Sequence, residues 1–171
     1  KSLISIEPST IFEGQSLKKL EPHLGLVSAC VKIKYNGSKT ILRTELEIWE
    51  NGQVKESHRL LGFSGASEKG LNGELSFSFS SNDKDADKKV KTVYTDDNSA
   101  GVSTFSNDIE FPKAVNTLMN FNKNLTISDE DQVYIWAYTD RNDVNINNDI
   151  YDVIKSSKNA VAFKLYLTNE W

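Results

Sequence analysis

The sequence predicts an all-β fold, a two-sheet antiparallel β-sandwich, on three observations. Apolar and polar residues alternate along most of the chain, Asn-Gly pairs and polar clusters interrupt the alternation, and helix signals are confined to two short segments. With 171 residues, 38% of them hydrophobic, the chain can fill one core and is short for two. Residues 1–171 therefore read as a single domain of eight or nine strands with one or two short helical turns.

From the N-terminus, SLKKLEPH (16–23) reads as a helical turn closed by Pro22. In VSACVKIKY, Val27, Ala29, Val31, Ile33 and Tyr35 fall on one face and Ser28, Lys32 and Lys34 on the other, as a half-buried strand requires. Asn36-Gly37 precedes ILRTELEIW, where Leu42, Thr44, Leu46 and Ile48 alternate with Arg43, Glu45 and Glu47. Asn51-Gly52 and QVKESHRLL follow. Asn-Gly supplies the two positive-φ residues of a type I′ turn, so residues 27–61 are expected to form a three-stranded meander with tight turns at both pairs. GELSFSFSS points Leu75, Phe77 and Phe79 inward and Ser76, Ser78 and Ser80 outward. KVKTVYT, GVSTF, DQVYIWAYT and NAVAFKLYL add strands rich in β-branched and aromatic residues. PKAVNTLMNF (112–121) is the second helical candidate, with Ala114, Val115, Leu118 and Met119 on one side; neither helical segment would be stable without packing.

Net charge is −4, which argues against a nucleic-acid footprint and against a polybasic membrane patch. No apolar run approaches the roughly 20 residues that cross a bilayer. The chain opens at Lys1 without an initiator Met, which fits a secreted or lipid-anchored protein whose targeting segment is gone, and equally a fragment of a longer protein. Cys30 is alone, so it reads as a small apolar filler in a strand rather than as half of a disulfide or part of a zinc site.

All twelve Asp residues follow position 82, and two loops space them like ligands. Asp83, Asp85 and Asp87 form one alternate run; Asp143, Asn145, Asn147 and Asp149 form the other, inside TDRNDVNINNDIYD. Calcium takes six to eight oxygens, and alternate acids around a tight loop supply them. Neither run is an EF-hand: the sixth-position Gly is Lys88 or Asn148, and the twelfth-position Glu is Tyr94 or Ile154. Asp and Asn also turn chains through bonds to their own backbone, and a solvated turn is the first reading of both loops, a calcium site the second. Catalytic patterns are poorer. His23 and His58 lie in unlike contexts, GFSGA around Ser64 lacks the last Gly of the nucleophile elbow, and S-x-x-K at Ser16–Lys19 and Ser81–Lys84 has no supporting motif. Glu45 and Glu47 share a strand face that could serve glycoside chemistry but reads first as the wet side of a sheet beside Arg43. Tyr134, Trp136 and Tyr138 alternate on one face of a strand apolar on both sides, which suits either a central strand or an aromatic platform; Trp49 is another aromatic candidate for exposure.

LTISDEDQVYIWAY (125–138) resembles the E–F region of immunoglobulin-like domains, where a Leu-Thr-Ile strand leads through an acidic corner to a Tyr. The resemblance implies an immunoglobulin-like sandwich with Tyr134 as the residue whose hydroxyl ties the corner; Trp136 stands where that family has Cys. C2-like and cadherin-like domains gather acids at one end of their sheets, as the Asp-rich loops here would. The Lys, Asn and Ile content, with the β pattern, resembles the extracytoplasmic domain of a small Gram-positive lipoprotein. The expectation is thus a non-enzymatic binding module, secreted or on the cell surface, whose partner is a protein or a cell-envelope component. It would meet a membrane only through a lipid anchor outside this chain and would need no cofactor. The alternative is a calcium-dependent binding domain.

Overall fold

A computed structural model describes residues 1–65, 70–80, 87–98 and 101–171. The described residues form, in chain order, β1 (Leu3–Ser9), α1 (Gln15–Lys18), α2 (Leu20–Leu24), β2 (Leu26–Tyr35), β3 (Ile41–Glu50), β4 (Gln53–Ser64), β5 (Leu71–Ser80), β6 (Asp87–Asp96) and β7 (Gly101–Glu110). β8 (Thr117–Asn120), β9 (Leu125–Ser128), β10 (Gln132–Thr139), α3 (Ile150–Ser156) and β11 (Asn159–Thr168) complete them. Every pairing is antiparallel, and the strands fall into two sheets ordered β7-β6-β5-β2-β1-β9 and β4-β3-β11-β10-β8. The all-β sandwich is therefore what the chain adopts.

The inward residues of the alternating segments meet between the sheets. Phe77 lies at the centre, 4.9 Å from the Trp136 ring and 4.7 Å from Phe163, with Ile6, Ile33, Leu46 and Leu75 around it in one continuous core. Aromatic pairs at such separations and tilted angles add to the area they bury.

The meander over residues 27–61 does not form. β2 and β3 belong to opposite sheets, because both edges of β2 are taken, by β1 and by β5. Only the second Asn-Gly pair is a type I′ turn: Asn51 has φ 51° and Gly52 φ 76°, whereas Gly37 is not among the positive-φ residues. The difference lies in the loop. Two residues separate β3 from β4, whereas Asn36–Thr40 separate β2 from β3 and carry the chain across to the other sheet. Gly37 has a different reason to be glycine. A Cβ there would lie 2.4 Å from the Tyr35 hydroxyl and 2.5 Å from Ser2 Cβ. That hydroxyl donates to Asp129 Oδ2 at 2.9 Å and accepts from the Lys39 amide at 2.9 Å, pinning the crossover to the corner between β9 and β10.

Two strands and a helix lie beyond the sequence reading. β1 threads between β2 and β9. The second helical candidate is no helix: after a turn in which the Val115 amide meets the Pro112 carbonyl, residues 117–120 extend as β8 along β10. Leu118 packs toward the inter-sheet core and Met119 toward the outer side, so strand pairing overrides the helical spacing. The helix missing from the sequence reading, α3, rises out of the Asp/Asn-rich loop. Asp149 caps it by accepting from the Asp152 amide, and Ile150, Val153 and Ile154 bury one face. That face rests on Ala137, Ala160 and Ala162, whose small side chains let the helix approach the sheet.

Candidate functional site

The outer face of the five-stranded sheet carries the densest side-chain chemistry. Alternation along β3 puts Arg43, Glu45, Glu47 and Trp49 on this face, and the register sets Lys164 of β11 opposite Glu45 and Tyr134 of β10 opposite Lys164. The face expected to be wet is buried: Glu47 is 4% exposed and Lys164 8%. Lys164 Nζ lies 2.6 Å from Glu47 Oε1 and 3.1 Å from Glu45 Oε2. Glu47 Oε2 also accepts from Trp49 Nε1 at 2.9 Å and the Tyr134 hydroxyl at 2.7 Å, and Tyr166 donates to Glu45 Oε1 at 2.7 Å. Each carboxylate oxygen thus has a donor, which is what allows two acids and one base to share a low-dielectric site.

The electrostatics follow. Burial alone would raise Glu45, but hydrogen bonds from Tyr166 and Lys164 and the nearby Lys164 and Arg59 charges outweigh it and hold Glu45 below the ordinary range. Burial would lower Lys164, but the two glutamates hold it above. Burial, with the Glu47 carboxylate adding to it, pushes Tyr134 far up, so its hydroxyl is a permanent donor. Both carboxylates are thus committed to the protein's own donors. At one end of the face Trp171 lies over the Arg43 guanidinium, 5.0 Å from it.

β10 does not present its three aromatics together. A bulge between Tyr134 and Trp136 shifts the register, so Ile135 and Trp136 both enter the inter-sheet core and Tyr138 follows them, while Tyr134 stays outside. The Tyr134 hydroxyl reaches Glu47 rather than the corner backbone, and the tie to the corner acid Asp129 is made by Tyr35.

Outside, Tyr134 stacks on Tyr151 of α3 at 5.5 Å and 18°, with Trp49 edge-on to both. These aromatics adjoin a groove of about 970 Å³ between the β8–β9 connection and the loop after β10. Met119, Phe121, Val144 and Ile150 give it apolar walls, and Asn120, Asn122, Gln132, Asn145, Asn147 and Asn148 supply amides. Asn122 Nδ2 donates to the Ile146 carbonyl across it, and Ile146 itself is 78% exposed.

The four residues with calcium-like spacing lie along this loop. Asp143 is turned to Arg141, which grips it through Nε at 2.8 Å and Nη2 at 2.5 Å. Asn145 Oδ1 accepts from the Asn147 amide at 2.9 Å, Asn148 Oδ1 from the Asn145 amide at 2.7 Å, and Asp149 caps α3. Asn145, Asn147 and Asp149 line the groove; Asp143 does not. Among the described residues no three His, Cys, Asp or Glu side chains are grouped to hold a metal ion. Asp83 and Asp85, with the S-x-x-K at 81–84, lie outside the described residues, and Asp87 opens β6. His23 sits in α2, His58 lies 3.4 Å from Glu56 on β4, and Ser64 ends β4, so the three are not brought together at one place.

Lys164, Tyr151 and Tyr166 escaped the sequence reading. The signal for Lys164 and Tyr166 is in NAVAFKLYL, where Ala160, Ala162, Lys164 and Tyr166 share one face: small residues under a helix, then a lone charge in an apolar strand; Tyr151 lies in the polar segment TDRNDVNINNDIYD. Comparison of the chain with protein-family models, with curated proteins and with solved structures gives no match, so the chemistry of this face stands on its own geometry.

Proposed function

We infer that the protein is a non-enzymatic binding module, extracytoplasmic and secreted or held at the cell surface, of a bacterial surface protein or lipoprotein. Its ligand is a protein or cell-envelope component that enters the groove beside Tyr134 and Tyr151. The groove itself carries this reading. Its volume falls in the usual range of about 300–1,000 Å³ for ligand sites, and it combines apolar walls with a few amides that can orient a polar ligand. The floor is prearranged, since the Glu45–Lys164–Glu47 cluster fixes Tyr134 and α3 fixes Tyr151. A fixed floor lowers the ordering cost of binding. The extracytoplasmic assignment rests on the compositional resemblance to lipoprotein domains.

Co-sedimentation with purified bacterial envelopes tests it. The wild-type protein is expected to sediment saturably, and Tyr151→Ala and Asn145→Ala to weaken this at least about tenfold without loss of fold, as truncation of a central contact does. Folded wild-type protein that stays in the supernatant, or groove variants that sediment like wild type, would overturn the reading. A calcium-dependent variant of the same module draws on Asn145, Asn147 and Asp149 lining one wall.

A further inference from the structure

Arg43 is a cation that the sheet covers without pairing it. Its side chain is 9% exposed, yet among the described residues its guanidinium makes no ion pair and no hydrogen bond. The register of β3 sets it between Gly62 of β4 and Tyr166 of β11, on the outer face of the five-stranded sheet. Gly62 leaves the room. A Cβ there would lie 3.0 Å from Arg43 Nη1 and 3.2 Å from Trp171 Cζ3, so guanidinium and indole both lie across the bare glycine. Trp171 is the outer cover, 5.0 Å from the guanidinium and itself 69% exposed.

An indole over a guanidinium engages its charge through the ring face. The five N–H donors lie in the guanidinium plane, and stacking leaves them unmet. Folded proteins pair nearly all their buried donors, because each one left open costs its desolvation. The next acid along β3 does not serve Arg43. Glu45 Oε1 accepts from Tyr166, and Glu45 Oε2 faces Lys164 at 3.1 Å. Arg59, opposite Glu45 on β4, is exposed on the same face and also makes no ion pair among the described residues. Arg43, Arg59 and Lys164 against Glu45 and Glu47 leave this part of the face one positive charge in excess, on a chain whose net charge is −4.

We propose that Arg43, with Trp171 over it and Arg59 on the neighbouring strand, is a binding site for a ligand carboxylate. The carboxylate lies in the plane of the guanidinium and accepts two N–H bonds side by side, a geometry that the fork of arginine matches and the ammonium of lysine does not. Its single negative charge balances the local excess, and Trp171 offers an apolar surface to the group that bears it. None of Arg43, Arg59, Gly62 and Trp171 lines the groove, so the proposal stands independently of the groove's role.

Titration with sodium benzoate at constant ionic strength tests it, followed by the Arg43 Nε–H and Trp171 indole N–H resonances of isotope-labelled protein. Benzamide is the neutral control and phenyl phosphate the competing anion. Both resonances are expected to shift saturably with benzoate and to stay in place with benzamide. Arg43→Lys, which keeps the charge and loses the fork, should weaken benzoate roughly tenfold or more, as loss of one charge-assisted hydrogen bond does. Arg43→Met should abolish binding. Trp171→Ala, at an exposed position, keeps the test open if neither Arg43 variant folds, and should weaken benzoate roughly threefold, as loss of an exposed cation–π contact does. Absence of a saturable shift with benzoate, or equal shifts with benzamide, would overturn the proposal. So would tighter binding of phenyl phosphate than of benzoate, or a folded Arg43→Met or Trp171→Ala that binds like wild type.

Discussion

At the scale of single residues, Lys164 is the most consequential side chain on the outer face. Among the described residues it is the sole cation within 4 Å of the Glu45 and Glu47 carboxylates, so its loss leaves Glu47 without an ion-pair partner and Glu45 with only the more distant Arg59 charge. Lys164→Met is expected to cost about 3–5 kcal/mol, as breaking a buried pair does. The pH profile gives a sharper test. Glu45 is held below its ordinary value, so its contribution is present above the unfolded carboxylate value of about 4.3 and is lost as pH falls through the folded one. Lys164 is held above its ordinary value, so its contribution is present below about 10.4 and is lost as pH rises through the folded value. The cluster's own contribution to Tm should therefore be flat between these limits. In Lys164→Met the orphaned acids would prefer protons, and Tm should rise as pH falls from 7 to 5; a Tm that does not rise would show that the cluster is not coupled as described. Cys30 makes a second residue-scale prediction. Burial first, and the Glu74 charge after it, push its thiol up to about 11, so alkylation at pH 8 should be slow in the folded protein and fast in denaturant. Tm should be indifferent to reductant, and a reductant-sensitive Tm would mean a disulfide between two chains.

At the scale of elements, the two Asn-Gly pairs separate turn chemistry from close approach. Gly52→Ala places a Cβ at φ 76° and 2.4 Å from the Lys155 carbonyl of α3, so it should cost about 1 kcal/mol or more in a thermal melt. Gly37→Ala should also destabilise, through the Tyr35 hydroxyl rather than through φ. Tyr35→Phe should then relieve part of the Gly37→Ala cost while adding independently to Gly52→Ala, and a double-mutant cycle with no coupling at Gly37 would refute this account. The loop from 139 to 149 is likewise an element with its own test. Its acceptors are spent on Arg141, on its own amides and on the α3 cap, so millimolar calcium should leave Tm where chelator leaves it, at constant ionic strength. A bound ion would instead add RT ln(1 + [L]/Kd), about 2.7 kcal/mol at a hundredfold excess over Kd. A shift of several degrees that vanishes in Asp143→Ala plus Asp149→Ala would make the loop a calcium site.

At the scale of the whole molecule, what was legible in the sequence is what alternation encodes. Leu75, Phe77 and Phe79 announce their face locally, and so do Val31 and Ile33. Which strand lies beside which is not local: Asn36-Gly37 has the residues of a hairpin turn, and only the occupied edges of β2 show that it is a crossover. The bulge at Ile135 is equally silent, since one extra residue in β10 reverses the facing of everything after it without changing composition. The candidate groove was legible only as the loop that forms one wall. Its floor depends on Tyr134 meeting Glu47, 87 positions away, and on a helix that a polar loop concealed.

The position of β11 has a consequence in time. β11 follows every other described strand in sequence yet lies in the middle of the five-stranded sheet, between β3 and β10, and α3 rests on it. A nascent chain emerging from the ribosome can close the β3–β4 hairpin early, but β3 waits unpaired on its other side until residues 159–168 are made. Before β11 is made, the six-stranded sheet, the β3–β4 hairpin and the β8–β10 pair can all form, but the five-stranded sheet stays in two halves with exposed edges; after it the sandwich can shut. Residues 1–157 alone should stay protease-sensitive, while residues 1–171 resist digestion.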